Sequence, residues 1–264
     1  MARKYLFRVD ILSKKDKHPL ESIAYYCGEK QVDIIHSKTY ETTTEDKVVW
    51  SKILAPEKKT DSQLFSQLPD YLKFRSQKAD LISNARNILW KSVNNRENRP
   101  DSQFARLFEV AIPHFINEED SVKLLTSFAK NLVAEGMIVD CSLHNYNKQA
   151  PILSILERVK LINTQKSEKS QEMEINQDYT GFLMCTLRDY SGGVFVNKNR
   201  DWNKSEKLFN WRASWFILLE DAIRNSNASD NEKNNWLDKF KIYTPYKEEK
   251  EPVKEDREFN YPSM

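Results

Sequence analysis

Two adjacent tyrosines, Tyr25 and Tyr26, lie just ahead of Cys27 and Gly28. A tyrosine oxygen can attack phosphorus and hold a phosphotyrosine intermediate, provided that a neighbour takes its proton or lowers a pKa of about 10. The competing structural role is simpler: one ring packs inward and the other lies on the surface. The four histidines are His18, His36, His114 and His144, and none has the H-x-H or H-E-x-x-H spacing of a metal site. His144 stands apart because Asp140 precedes it by four residues, and residues i and i+4 of a strand share a face. Lys14, Lys15 and Lys17 form a basic loop ahead of the tyrosines, suited to meeting phosphates.

The elements that must position these groups follow from periodicity. Lys4 to Leu12 alternates as a strand, and Leu20, Ile23, Ala24 and Cys27 mark a helix from about His18 to Lys30. Short strands are predicted at Val32 to Ile35, Lys38 to Thr42 and Val48 to Leu54. A long helix is predicted at Lys78 to Glu97. Ala105 to Ile112 reads as a strand that ends at Pro113. Asn117 can cap the next helix, whose first turn carries Glu118, Glu119 and Asp120 and whose apolar face holds Val122, Leu125, Phe128, Ala129, Leu132 and Val133. Met137 to His144 and Tyr179 to Leu187 are strands. Between them a helix at 152–161 and a polar loop at 164–174 are expected. Ser191-Gly192-Gly193 is a turn. Lys204 to Asn225 and Asn231 to Phe240 are helices. This order predicts one α+β domain, 1–245, with a largely antiparallel sheet and helices on one face, then a charged, mobile tail at 246–264.

Composition narrows the classes. The chain has 264 residues, 39% hydrophobic and 30% charged, the balance of a folded domain. With only 5 glycines it holds neither a G-x-G-x-x-G nor a P-loop phosphate cradle. No apolar run approaches the ~20 residues of a membrane span, and the N-terminus lacks the pattern of a signal peptide. A cytoplasmic protein without membrane partners is expected. Three scattered cysteines make neither a disulfide framework nor a zinc knuckle. Net charge is +2, yet the first 100 residues carry 19 Lys/Arg against 13 Asp/Glu. That is a mild attraction for phosphate, and a solvated surface would explain it equally well.

Six segments keep one order within residues 4 to 227: LESIAYYCGEK (Leu20 to Lys30), VVWSKILAP (Val48 to Pro56), NARNILW (Asn84 to Trp90), FARLFEVAIPHF (Phe104 to Phe115), EGMIVDCSLH (Glu135 to His144), and RDWN (Arg200 to Asn203) with WRASW (Trp211 to Trp215). In this order they resemble the motifs of MobA/MobL-type relaxases, which start conjugal DNA transfer by nicking one strand at a plasmid origin. The resemblance implies an HUH-endonuclease core, an antiparallel sheet flanked by helices. It also implies a tyrosine nucleophile at Tyr25, with Tyr26 one step off register, and a divalent metal held by three histidines. His144 fills the place of the first. The strands 137–144 and 179–187 should then lie side by side.

The other two histidines of the family belong to N-P-H-x-H-x-x-x-T. The matching stretch here runs from Asp178 to Thr186 and places Thr180 and Phe182 at the histidine positions. A neutral hydroxyl binds metal poorly and a phenyl ring not at all. Asp140, Glu109 and Asp178 are the candidate substitute ligands, and an oxygen-rich set would suit Mg²⁺ or Mn²⁺. Otherwise no cofactor is expected. Three functions follow. The first is a relaxase-derived protein that binds single-stranded or origin-like DNA with its nicking chemistry lost or impaired. The second is an active strand-transfer nuclease with a rebuilt metal site. The third is a non-catalytic scaffold for other proteins in a mobile-element or phage-defence complex.

Overall fold

The computed structural model describes residues 6–33, 36–42, 47–56, 79–145, 179–191 and 194–241. The expected helix at 152–161, the loop at 164–174, Asp178 and the tail at 246–264 lie outside the described residues. The elements are β1 (Phe7–Ser13), α1 (Pro19–Cys27), β2 (Gln31–Asp33), β3 (Lys38–Tyr40), β4 (Val48–Leu54), α2 (Ala79–Arg96), β5 (Gln103–Ile112), α3 (Glu118–Ala134), β6 (Val139–Asn145), β7 (Tyr179–Thr186), β8 (Arg188–Ser191), β9 (Val194–Lys198), a 3₁₀ turn (Arg200–Asn203), α4 (Ser205–Asn225) and α5 (Asp230–Lys241).

Five strands form one sheet in the order β1-β5-β7-β6-β4. Every pairing in it is antiparallel. The expected α+β architecture with an antiparallel sheet is therefore present, and β6 and β7 are neighbours. β7 is central and almost wholly buried, which is why its sequence is apolar on both faces.

The expectation of helices on one face is corrected: both faces are covered. On β6, Val139, Cys141 and Leu143 point into a core shared with α3 and α4, while the alternate residues Asp140, Ser142 and His144 are buried on the other side. That second side packs under α1 and α2 through Leu20, Ile23, Ala24, Leu89, Trp90 and Val93. The alternation of a strand makes both faces buried when each carries its own helices. Aromatic rings fill the first core: Phe108 and Phe128 meet edge-on at 5.7 Å, and Phe128 and Trp215 at 5.4 Å.

Local signals account for the helix that matters most. Asn117 caps α3 as expected, accepting from the Asp120 N–H at 2.9 Å. The tyrosine helix α1 is shorter than the pattern predicts. Pro19 opens it, where a missing N–H costs nothing. Gly28 closes it in the left-handed region at φ 68°, which glycine reaches without a Cβ clash. Two small antiparallel sheets accompany the main one, β2 with β3 and β8 with β9, and the second of these departs from the sequence reading.

Candidate active site and nucleic-acid interface

The end of a helix leaves carbonyls without intrahelical partners. In α1 the Tyr26 carbonyl receives two donors from β6: Ser142 Oγ at 2.6 Å and His144 Nε2 at 2.6 Å. A carbonyl oxygen only accepts, so Nε2 carries its hydrogen and directs no lone pair outward. His144 is fully buried, and this contact ties the tyrosine helix to the sheet.

Tyr25 and Tyr26 meet edge-on, ring centroids 5.1 Å apart. Their surroundings differ. Tyr26 packs on Phe182 at 5.2 Å. Burial, followed by the charges of Tyr25, Glu109 and Asp10, pushes the Tyr26 phenol up to about 12. Its phenolate is disfavoured. Over the Tyr25 ring lies Lys17 Nζ, 5.0 Å from the centroid. Arg8 opposes that rise at Tyr26 without overcoming it, whereas Lys17 lies directly over the ring of Tyr25.

His144 pairs in register with Thr180, and Ser142 with Phe182. The three aligned positions, 144, 180 and 182, therefore share one face of two adjacent strands. Their side chains are an imidazole, a hydroxyl and a phenyl ring, not three imidazoles. The Phe182 ring stands 4.7 Å from the His144 imidazole, edge-on, where the alignment calls for a ligand. Glu109 faces the same side but lies opposite Phe182 on β5, two strands from β6 and so about 10 Å away laterally. Among the described residues, no three His, Cys, Asp or Glu side chains converge on a common point. These residues do not fit the three-histidine metal that the resemblance implies.

Asp140 shares the face of His144, as the spacing predicts, but the structure gives it other partners. Its carboxylate accepts from Arg86 Nε at 2.8 and 3.1 Å and from Trp90 Nε1 at 3.0 Å. Cys27 Sγ lies 3.5 Å from it. Arg86 also pairs with Glu29, just past the tyrosine helix. Burial pulls the Arg86 pKa down, but Asp140, Cys27 and Glu29 outweigh it and hold the guanidinium charged. Through Arg86 three elements meet: the end of α1, α2 and β6. A sequence signal exists in hindsight. Arg86 stands three, four and seven residues before Leu89, Trp90 and Val93, so it interrupts an apolar stripe.

The basic loop divides into two roles. Lys14 Nζ donates to the Glu97 carbonyl at 2.6 Å and reaches the Asn94 carbonyl at 3.4 Å, closing the C-terminus of α2. Lys15 and Lys17 are exposed. Of the remaining histidines, His18 accepts at Nδ1 from the Leu20 N–H at 3.2 Å, His36 Nδ1 is 2.8 Å from Asp33, and His114 Nε2 is 3.6 Å from Glu232.

No helix among the described residues is long and apolar enough to cross a membrane. Comparison with known proteins agrees with the fold and the motif order. The conjugal transfer protein TraA of Rhizobium radiobacter is 26% identical over 140 residues, covering 52% of this chain and 12% of that protein. The chain thus matches about an eighth of that relative's length. A solved structure on the molecular basis of vancomycin resistance transfer in Staphylococcus aureus superimposes with a TM-score of 0.59, over 84% of this chain and 93% of that one. At 23% identity this likeness concerns the fold. The family model described as MobA/MobL matches residues 18–234, and the chain belongs to the MobA/MobL family.

Proposed function

We propose that this chain is a DNA-binding protein of conjugal transfer or plasmid mobilisation in which strand nicking is lost or impaired. The observation that carries the reading is Phe182. Its ring fills the space beside His144 and Tyr26 where a second histidine would have to stand. An incoming phenolate is repelled by the negative charge of a phosphodiester. Without concentrated positive charge at the phosphate that barrier stays high, since electrostatic stabilisation is commonly the largest catalytic term. Lys17 over Tyr25 is an exposed point charge, and the nearby Arg8 is paired with Asp10, enough to attract a phosphate and too little to orient one. What remains is a tyrosine helix fastened to a sheet, with Lys15 and Lys17 at its entrance. This arrangement suits binding to a DNA strand.

The test is binding of single-stranded and duplex oligonucleotides across a salt series, with and without Mg²⁺ or Mn²⁺, followed by analysis for nicks and covalent adducts. Salt-sensitive binding without cleavage is expected, and Tyr25→Phe should bind as the parent does. A metal-dependent adduct lost in Tyr25→Phe would replace this reading with that of an active relaxase. No binding at low salt would favour a protein scaffold.

A further inference from the structure

The β8–β9 hairpin sets Arg188 directly opposite Lys198. Like charges in that position repel and weaken a hairpin. The structure offsets part of the repulsion with one carboxylate. Glu97 is 3% exposed, and it takes Arg188 Nε at 2.5 Å and Lys198 Nζ at 3.2 Å. A third cation, Arg200, is exposed on the adjoining 3₁₀ turn and has no ion pair among the described residues. Arg188, Lys198 and Arg200, with Asn197 and Asn203, line a cleft of about 590 Å³. Among the described residues, no acidic or apolar side chain lines it.

The cleft is built rather than incidental. From the core, buried Arg106 donates to the Trp202 carbonyl and, at 2.6 Å, to Asn203 Oδ1. With its oxygen occupied, the Asn203 amide has its NH₂ group left to donate. Arg188 Nη1 also donates to the Val196 carbonyl at 3.0 Å, which stiffens the hairpin. Arg188 and Lys198 spend donors on Glu97, and Lys198 also on the Gln103 carbonyl. The Arg200 guanidinium and the Asn203 amide are therefore the donors the cleft offers, within a surplus of positive charge that suits a phosphate.

Its place in the fold says which phosphate. Glu97, which holds Arg188 and Lys198 through its carboxylate, takes Lys14 on its backbone carbonyl. The hairpin cations thus adjoin the basic loop that leads to Lys17 and Tyr25. In that loop the Lys17 N–H donates to the Ser13 carbonyl at 3.1 Å, which keeps Lys14 and Lys17 on one turn. We propose that this cleft is a second nucleic-acid contact, binding a backbone phosphate of the strand whose other part passes Tyr25 and Lys17. This inference rests on the DNA-binding reading above.

Fluorescence anisotropy of a labelled single-stranded oligonucleotide, measured across a salt series on the full chain, tests it. Arg200→Ala removes an exposed charge, and Asn197→Asp adds a repelling one on an exposed strand position. Each should weaken binding several-fold at fixed salt, and Arg200→Ala should reduce the salt slope by about one phosphate contact. Arg224→Ala removes the same charge from the far end of α4, about 30 Å along the helix, and should bind as the parent does. Unchanged circular dichroism excludes misfolding as the cause. If the parent binds and both cleft variants match it in affinity and slope, the cleft assignment is overturned while DNA binding stands. If the parent binds no DNA, both fall. Titration with a nucleoside triphosphate, read by tryptophan fluorescence, separates a strand from a free nucleotide. Saturable triphosphate binding lost in Arg200→Ala, with DNA binding unaltered, would assign the cleft to a free nucleotide and overturn the proposal.

Discussion

The Nε2–H of His144 donates to the backbone carbonyl of Tyr26 at 2.6 Å. This bond joins the strand nominated for metal binding to the helix nominated for nucleophilic attack. It also gives the histidine a holding role that needs no metal. His144→Ala should therefore loosen α1 whether or not cations are present. Amide hydrogen exchange across residues 20–28 should report faster opening of that helix in the variant, equally with and without Mn²⁺. Unchanged protection would show that Ser142, the second donor, suffices.

The buried Arg86–Asp140 pair fastens α2 beneath the same helix. Asp140→Ala leaves a buried guanidinium with its main partner gone, a change that commonly costs about 3–5 kcal/mol. The double variant Arg86→Met, Asp140→Leu should lose much less than the two single variants added together. Urea unfolding of the four proteins decides this. Additive losses would show that the two side chains act independently.

The N-cap of α1 is a pH-sensitive device. His18 Nδ1 accepts from the Leu20 N–H, which requires the neutral ring. Burial, assisted by Lys14 and Lys38 and opposed mainly by Asp33, lowers the His18 pKa below 6.5. Because the folded value is depressed, this contribution to stability is present above pH 6.5 and is lost as pH falls through the folded value. Thermal unfolding should show the loss in the parent. In His18→Asn, which can cap without titrating, that part of the pH dependence should vanish. An identical acid limb in both proteins would assign it elsewhere.

Gly181 lies on β7 between Thr180 and Phe182, facing the opposite core. A Cβ there would sit 2.5 Å from Leu125 Cδ1 and 2.7 Å from Val110 Cγ2. Gly181→Ala should destabilise the fold by about 1–3 kcal/mol, the usual cost of overpacking. Thermal or urea unfolding measures it, and a neutral effect would mean that Leu125 has room to turn away.

The basic loop separates by variant. Lys15→Glu with Lys17→Glu should weaken DNA binding several-fold at low salt and leave stability nearly unchanged, since both residues are exposed. Lys14→Glu should also lower stability, because it removes the donor to the Asn94 and Glu97 carbonyls. Anisotropy and thermal unfolding on the same samples check both halves, and equal stability losses in all variants would contradict the division.

Much of the molecule was legible in the sequence, because periodicity and capping are local. The Asn117 cap, the α3 apolar face and the shared face of Asp140 and His144 all follow from spacing along one element. Motif order along the chain sufficed to indicate the family, and with it that 144, 180 and 182 would meet. Three features depend on contacts between residues remote in sequence. Helices cover both faces of the sheet because β6 and β7 are apolar or paired on each side, while an alternating strand says nothing of which helix packs where. Asp140 serves Arg86, 54 residues away, and the same carboxylate read alone passes for a ligand. Glu97 gathers Arg188 and Lys198 into one cleft across about ninety residues, so charges scattered along the chain become a local field only once the chain has folded.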